Sequence, residues 1–165
     1  MGVREIFIGF SRPKDDKALF AKAIRLFENT DFNHVYIRHQ TKYGIEIVYQ
    51  ASGLSVNFMS GIIFRHNNVI VEEYMFLLTE EQFDKYMSFA LYNVGAPYSF
   101  KLILKIFLNR FFPKFAKKID IHPLEYVCSK LVSTILDVTD IIDNTTEEYK
   151  NLVTPRMIRD YLKRF

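Results

Sequence analysis

Cys128, His34 and Glu46 are the residues whose types could together do covalent chemistry. A thiolate attacks a carbonyl carbon, an imidazole carries the proton, and a carboxylate fixes the imidazole's tautomer and orientation. Cys128 is the only cysteine of the 165 residues, which rules out an internal disulfide and a multi-cysteine metal site. It lies in Tyr126-Val-Cys-Ser-Lys-Leu-Val132, where an irregular segment turns into a helix. A helix amino end and a nearby imidazolium both favour thiolate over a thiol whose ordinary pKa is about 8.5. The Cys128 N–H, unpaired at a helix start, could point at a developing oxyanion. Singly, each residue also has a plain structural use: core cysteine, satisfied strand histidine, solvent-facing strand glutamate. His122, six residues before Cys128, is a rival base, whereas His39 and His66 fall in expected turns and carry no metal-ligand spacing.

Strands and helices must bring these three together. Glu5 to Phe10 is an apolar run fit for a strand, and Ser11 to Asp16 is expected to break it and open a helix. Pro13 would sit in the first turn, with Asp15 and Asp16 at the positive end of the dipole. Leu19, Phe20, Ala23, Ile24 and Phe27 would form its buried face. His34 to Arg38 and Ile45 to Gln50 then read as a hairpin closed by a turn ending at Gly44, with a short third strand over Leu54 to Phe58 and a longer one over Val69 to Leu78. In that hairpin His34 and Glu46 share a face, nearly opposite one another, if the loop has an odd number of residues. Thr79-Glu-Glu-Gln82 is a capping-box pattern opening a helix with Phe83, Met87, Ala90 and Val94 inward. Gly95-Ala-Pro97 ends it. Further helices are predicted over Tyr98 to Phe112, over Cys128 to Leu136 with Leu131, Val132 and Ile135 buried, and from Thr154-Pro155 through Leu162.

This order of elements is α+β, and the length suits one domain over 1–165. The 49% hydrophobic and 25% charged composition is that of an ordinary globular protein. Sixteen Phe and ten Tyr with no Trp mean that rings do much of the packing. A formal charge of +3 is too small to argue for nucleic acid, and no nucleic-acid motif is present. Its distribution is uneven: Lys101, Lys105, Arg110, Lys114, Lys117 and Lys118 fall in one stretch without an acid. That aromatic and basic stretch suits either a packed helix with snorkelling lysines or a membrane surface. The opening residues lack a secretory leader, Ile6 stands where a myristoylation signal wants Ser or Thr, and charges interrupt the most apolar tract. The expected location is therefore cytoplasmic by default.

Asn33-His34-Val-Tyr-Ile37, the polar Glu46, Gly95-Ala-Pro-Tyr98, Tyr126-Val-Cys-Ser-Lys-Leu-Val132 and Thr154-Pro-Arg-Met-Ile158 together resemble the circularly permuted NlpC-type branch of the papain-like fold, which includes lecithin retinol acyltransferase-like proteins. The likeness spans residues 5 to 160. Lys130 departs from it, standing where a glutamate is usual after Cys-Ser, and that exchange would alter charge toward a substrate or partner. The resemblance implies an antiparallel sheet packed against helices, with the nucleophile at a helix N-terminus. It implies the order His34, Glu46, Cys128 for base, orienting group and nucleophile. Tyr98 and Tyr36 are the candidate substrate-binding residues, and Tyr98 suits core packing equally well. Such proteins cleave amide or ester bonds, or transfer acyl groups, through a thioester without cofactor or metal.

The expectation is a cysteine hydrolase acting on a peptide, a peptidoglycan cross-link or an acyl lipid. A second class stays open, a non-catalytic protein of this fold that binds a partner or membrane through residues 100–120. An activated thiol would titrate well below the ordinary cysteine value.

Overall fold

The computed structural model describes residues 2–15, 19–142 and 150–164. Within them the chain is α+β, with a five-stranded antiparallel sheet and seven helices. The strands are β1 (Val3–Pro13), β2 (His34–Gln40), β3 (Glu46–Ser52), β4 (Ser55–Ser60) and β5 (Asn68–Thr79), in the order β4-β3-β2-β1-β5. The helices are α1 (Leu19–Glu28), α2 (Gly61–Asn67), α3 (Glu80–Asn93), α4 (Phe100–Phe111), α5 (Pro113–Ala116), α6 (Cys128–Val138) and α7 (Pro155–Leu162).

Alternation along the strands gives the sheet two working faces. Ile6, Ile8 and Phe10 of β1, Val35 and Ile37 of β2, and Tyr49 and Ala51 of β3 point to one side, where α6 lies. Leu131, Val132 and Ile135 of α6 are fully buried there. Each such side chain contributes about 1.5–3 kcal/mol of burial, so α6 is fixed mainly by its apolar stripe. On the other face a smaller cluster of Tyr36, Val48 and Phe64 gathers under α2.

The capping box forms: the Thr79 hydroxyl accepts from the Gln82 amide, and Gln82 Oε1 accepts from the Thr79 amide. Thr154 caps α7 by accepting from the Met157 amide, and Ser99 caps α4 by accepting from the Leu102 amide.

Several expectations fail locally. β1 runs through Pro13 instead of breaking at Ser11, because Ser11, Arg12 and Pro13 keep pairing with β5. The first described helical residue of α1 is Leu19; Asp16 and the Phe20 side chain lie outside the described residues. Leu19 and Ala23 are exposed, while Ala21 and Glu28 are buried. α1 docks toward α4, where Phe27 packs on Phe107 at 4.3 Å between ring centroids, and that contact sets its rotation. In α3, Tyr86 and Asn93 are buried and Val94 is half exposed beyond the helix end. α2 carries too short an apolar pattern to stand out in the sequence. His39 belongs to β2 and not to a turn, buried with Nδ1 3.0 Å from the Tyr86 hydroxyl. His66 lies in α2.

Candidate functional site

The amino end of α6 meets the sheet at the start of β2. Val127, the N-cap residue of α6, makes no side-chain cap bond. The backbone amides of Val35, Ser129 and Cys128 itself lie near the Cys128 sulfur and act to lower its pKa. Val35 is the residue after His34, so the sulfur rests on the backbone beside the imidazole's own residue. Strand alternation sends the Val35 side chain under α6 and the His34 side chain to the other face.

Two cavities flank this point. Cys128 opens on a slit of about 40 Å³ walled by Ile24, Phe27, Ile103 and Phe107. His34 and Gln50 open on a chamber of about 450 Å³. Ile24, Asn33 and Tyr98 line both. Backbone bonds hold Tyr98 in place: its amide donates to the Leu54 carbonyl, and the neighbouring Ser99 amide donates to the Tyr126 carbonyl. Gly95, at φ 85°, makes the turn that brings this segment back from α3.

His34 Nε2 lies 2.8 Å from Gln50 Oε1. Gln50 Nε2 in turn donates to Asn57 Oδ1 at 3.4 Å and to the Met59 sulfur. Asn57 Nδ2 donates to the carbonyls of Ser52 and Ser55. These bonds fix each amide's orientation. Asn57 spends its NH₂ on carbonyls, so its oxygen faces Gln50; Gln50 therefore turns its own oxygen to His34. An oxygen acceptor at Nε2 demands the proton there and leaves the Nδ1 lone pair as the basic site.

Glu46 does not orient His34. The loop 41–45 does hold an odd number of residues, so the two share a face, but the register pairs Glu46 with Gln40, six positions along β2 from His34. At about 3.4 Å per residue that is some 20 Å away. The Glu46 carboxylate accepts from Arg65 at 2.9 Å and from Arg38 at 3.0 Å, and the Arg65 bond holds its pKa down. Gln50 follows Tyr49, the last residue of β3 paired with β2, on the same face as His34, and it is the residue of β3 that reaches the imidazole. Tyr36 is likewise no cleft residue: it is fully buried against Phe64 and its hydroxyl donates to Glu73. His122 is exposed and accepts from the Leu124 amide through Nδ1, a local turn contact. Lys130 is buried, its ammonium donating to the Pro123 carbonyl at 3.1 Å and lying over the Tyr126 ring, so it changes no surface charge.

The electrostatics differ from those of a preformed thiolate. Burial pushes the Cys128 thiol up to about 11 despite the three amides, and Glu28 adds to the rise. Burial holds His34 down to about 4, against a smaller opposing effect of the Gln50 bond. At neutral pH both groups are uncharged. Burial, and the nearby Cys128 sulfur, also keep the Tyr98 phenol protonated. Glu28, which sequence reading passes over, is buried at the end of α1 and lines the slit. Its carboxylate accepts from the Arg156 amide at the start of α7, and burial raises its pKa.

Compared with known proteins, the chain matches no family model and no curated sequence. Among the described residues no cluster of His, Cys, Asp and Glu could hold a metal ion, and no helix is long and apolar enough to cross a membrane.

Proposed function

We propose that this protein is a cysteine hydrolase of the permuted papain-like type, in which Cys128, His34 and Gln50 act as nucleophile, base and orienting group. The observation that carries this reading is the packing of the α6 start against β2, which sets the Cys128 slit and the His34 chamber side by side with Ile24, Asn33 and Tyr98 lining both. The orienting chain from Asn57 through Gln50 supports it, because it leaves Nδ1 of His34 unprotonated. In the reaction the substrate carbonyl occupies the junction of slit and chamber, beside Tyr98. Sγ bonds to the carbonyl carbon as its proton passes to His34 Nδ1. The leaving amine or alkoxide takes that proton as its bond to carbon breaks, giving a thioester; water, deprotonated by His34, then releases the acid and restores the thiol.

Burial penalises thiolate and imidazolium separately, whereas two opposite charges formed together stabilise one another in a low dielectric. Proton transfer is thus coupled to attack instead of preceding it. The protonated phenol of Tyr98 and the amides at the α6 start are donors for the oxyanion. The narrow apolar slit favours an apolar acyl group over a polar one.

The test is acylation by p-nitrophenyl butyrate, read by intact-protein mass spectrometry. One butyryl group should appear on Cys128, and H34A should slow its formation by at least about a hundredfold. Alkylation by iodoacetamide, which needs no base, should rise only toward the resting pKa of about 11. An adduct that forms equally fast in H34A, or none at all, overturns the reading in favour of a binding protein.

A further inference from the structure

The face built by α4 and α5 is unlike the rest of the surface. α4 turns Leu102 and Ile103 inward, and its outward side carries Phe100, Leu104 and Phe111 at spacings of four and seven residues, a single helical face. Phe112 and Phe115 continue it, and these five large apolar side chains are 55–64% exposed. Lys101, Lys105, Arg110, Lys114, Lys117 and Lys118 are interleaved with them. Among the described residues none of these six cations is ion-paired to a carboxylate. Arg110 and Lys118 lie over the rings of Phe27 and Phe115. Behind this face Lys105, Asn109, Lys117 and Asn151 surround a cavity of about 400 Å³.

We infer that the α4–α5 face docks on an anionic phospholipid surface, with a lipid headgroup entering the cavity between Lys105 and Lys117. Lys105 donates to the Ile119 carbonyl at 3.1 Å, but no described carboxylate neutralises any of the six, and a row of rings set among such cations matches the boundary of a bilayer, where rings enter the acyl region and ammonium groups stay at the phosphates. A protein partner would be met by an apolar centre depleted in lysine, which is not the pattern here. The lysines and the asparagine amides supply donors for phosphate oxygens. α4 is about 18 Å long, too short to span a bilayer, so it lies along the surface. This inference rests on α5 and on the outward side of α4, whose inner side walls the slit, and it does not depend on the chemistry of Cys128.

Flotation of the full chain with vesicles tests it. The protein should float with mixed phosphatidylcholine and phosphatidylglycerol vesicles and not with phosphatidylcholine alone. K114E/K117E/K118E should lower partitioning roughly a hundredfold or more, and F112S/F115S should lower it on the same vesicles at low salt. Because the chain has no tryptophan, F112W is a clean reporter whose emission should shift to the blue on anionic vesicles. A wild-type chain that stays with the unbound fraction, or a lysine variant that floats as well as wild type, overturns the inference. All the substituted side chains are exposed, so loss of the fold is not the expected cause of lost binding.

Discussion

At the scale of single residues, the site depends on which nitrogen of His34 carries a proton. Gln50 Oε1 at 2.8 Å demands Nε2–H, and Gln50 cannot turn over without placing its NH₂ against that N–H and its oxygen against Asn57 Oδ1. Nitrogen NMR of labelled histidine should therefore show His34 as a single Nε2–H tautomer at neutral pH. Q50L should give mixed tautomers and slow Cys128 acylation by about tenfold or more. N57A should produce a smaller shift of the same kind, because Gln50 is then free to flip. If Q50L leaves both tautomer and acylation rate unchanged, Gln50 is packing and not an orienting group. This residue was hard to find in the sequence. Glutamate is the stronger chemical type, so Glu46 drew the assignment, and parity alone could not separate two even-numbered residues of one strand. Only the register, centred on Tyr43 in the loop, distinguishes them.

At the scale of elements, the sheet is held at its middle by a close approach between β1 and β2. Gly9 pairs with Tyr36 on one side and with Glu73 of β5 on the other. The Tyr36 ring crosses directly over Gly9 to donate to Glu73, which also accepts two bonds from Arg38 at 2.9 and 2.8 Å. A Cβ on Gly9 would overlap that ring. Gly9→Ala should therefore destabilise the fold by about 2 kcal/mol or more, measured by urea unfolding. A loss under half a kcal/mol would mean that Tyr36 moves aside without cost. Most elements were legible before the structure: the alternation of β2, the capping box at Thr79 and the Thr154-Pro155 start each depend on local chemistry that the chain spells out. What was not legible depends on distant partners. β1 outruns its apolar segment because β5 is long enough to pair with it, and the inward face of α1 is chosen by Phe107, eighty residues later.

For the whole molecule, two imidazoles, His39 buried and His34 half-buried at the chamber, make the fold sensitive to acid. His34 and His39 are each held down to about 4 by burial, with Arg4 adding to the effect on His39. In the unfolded chain each titrates near 6.5. Between these values the unfolded state binds protons that the native state refuses, so stability rises with pH across that window and is lost as pH falls through it. A shift of this size corresponds to roughly 3 kcal/mol at most for the buried His39, and to less for the half-buried His34, together a large part of the stability of a typical domain. Glu28 works in the opposite direction. Burial raises its pKa, so its protonation favours the native state as the pH drops, and it offsets part of the loss. Urea unfolding free energies taken from neutral pH downward should therefore fall steeply before the ordinary carboxylate range is reached. H39Q keeps an acceptor for the Tyr86 hydroxyl but cannot titrate, and should remove about half of that slope. A stability curve flat down to the carboxylate range would mean that both rings take up protons in the native state. His34 would then be charged at rest in mild acid, and the uncharged thiol–imidazole pair would be wrong along with the acid sensitivity.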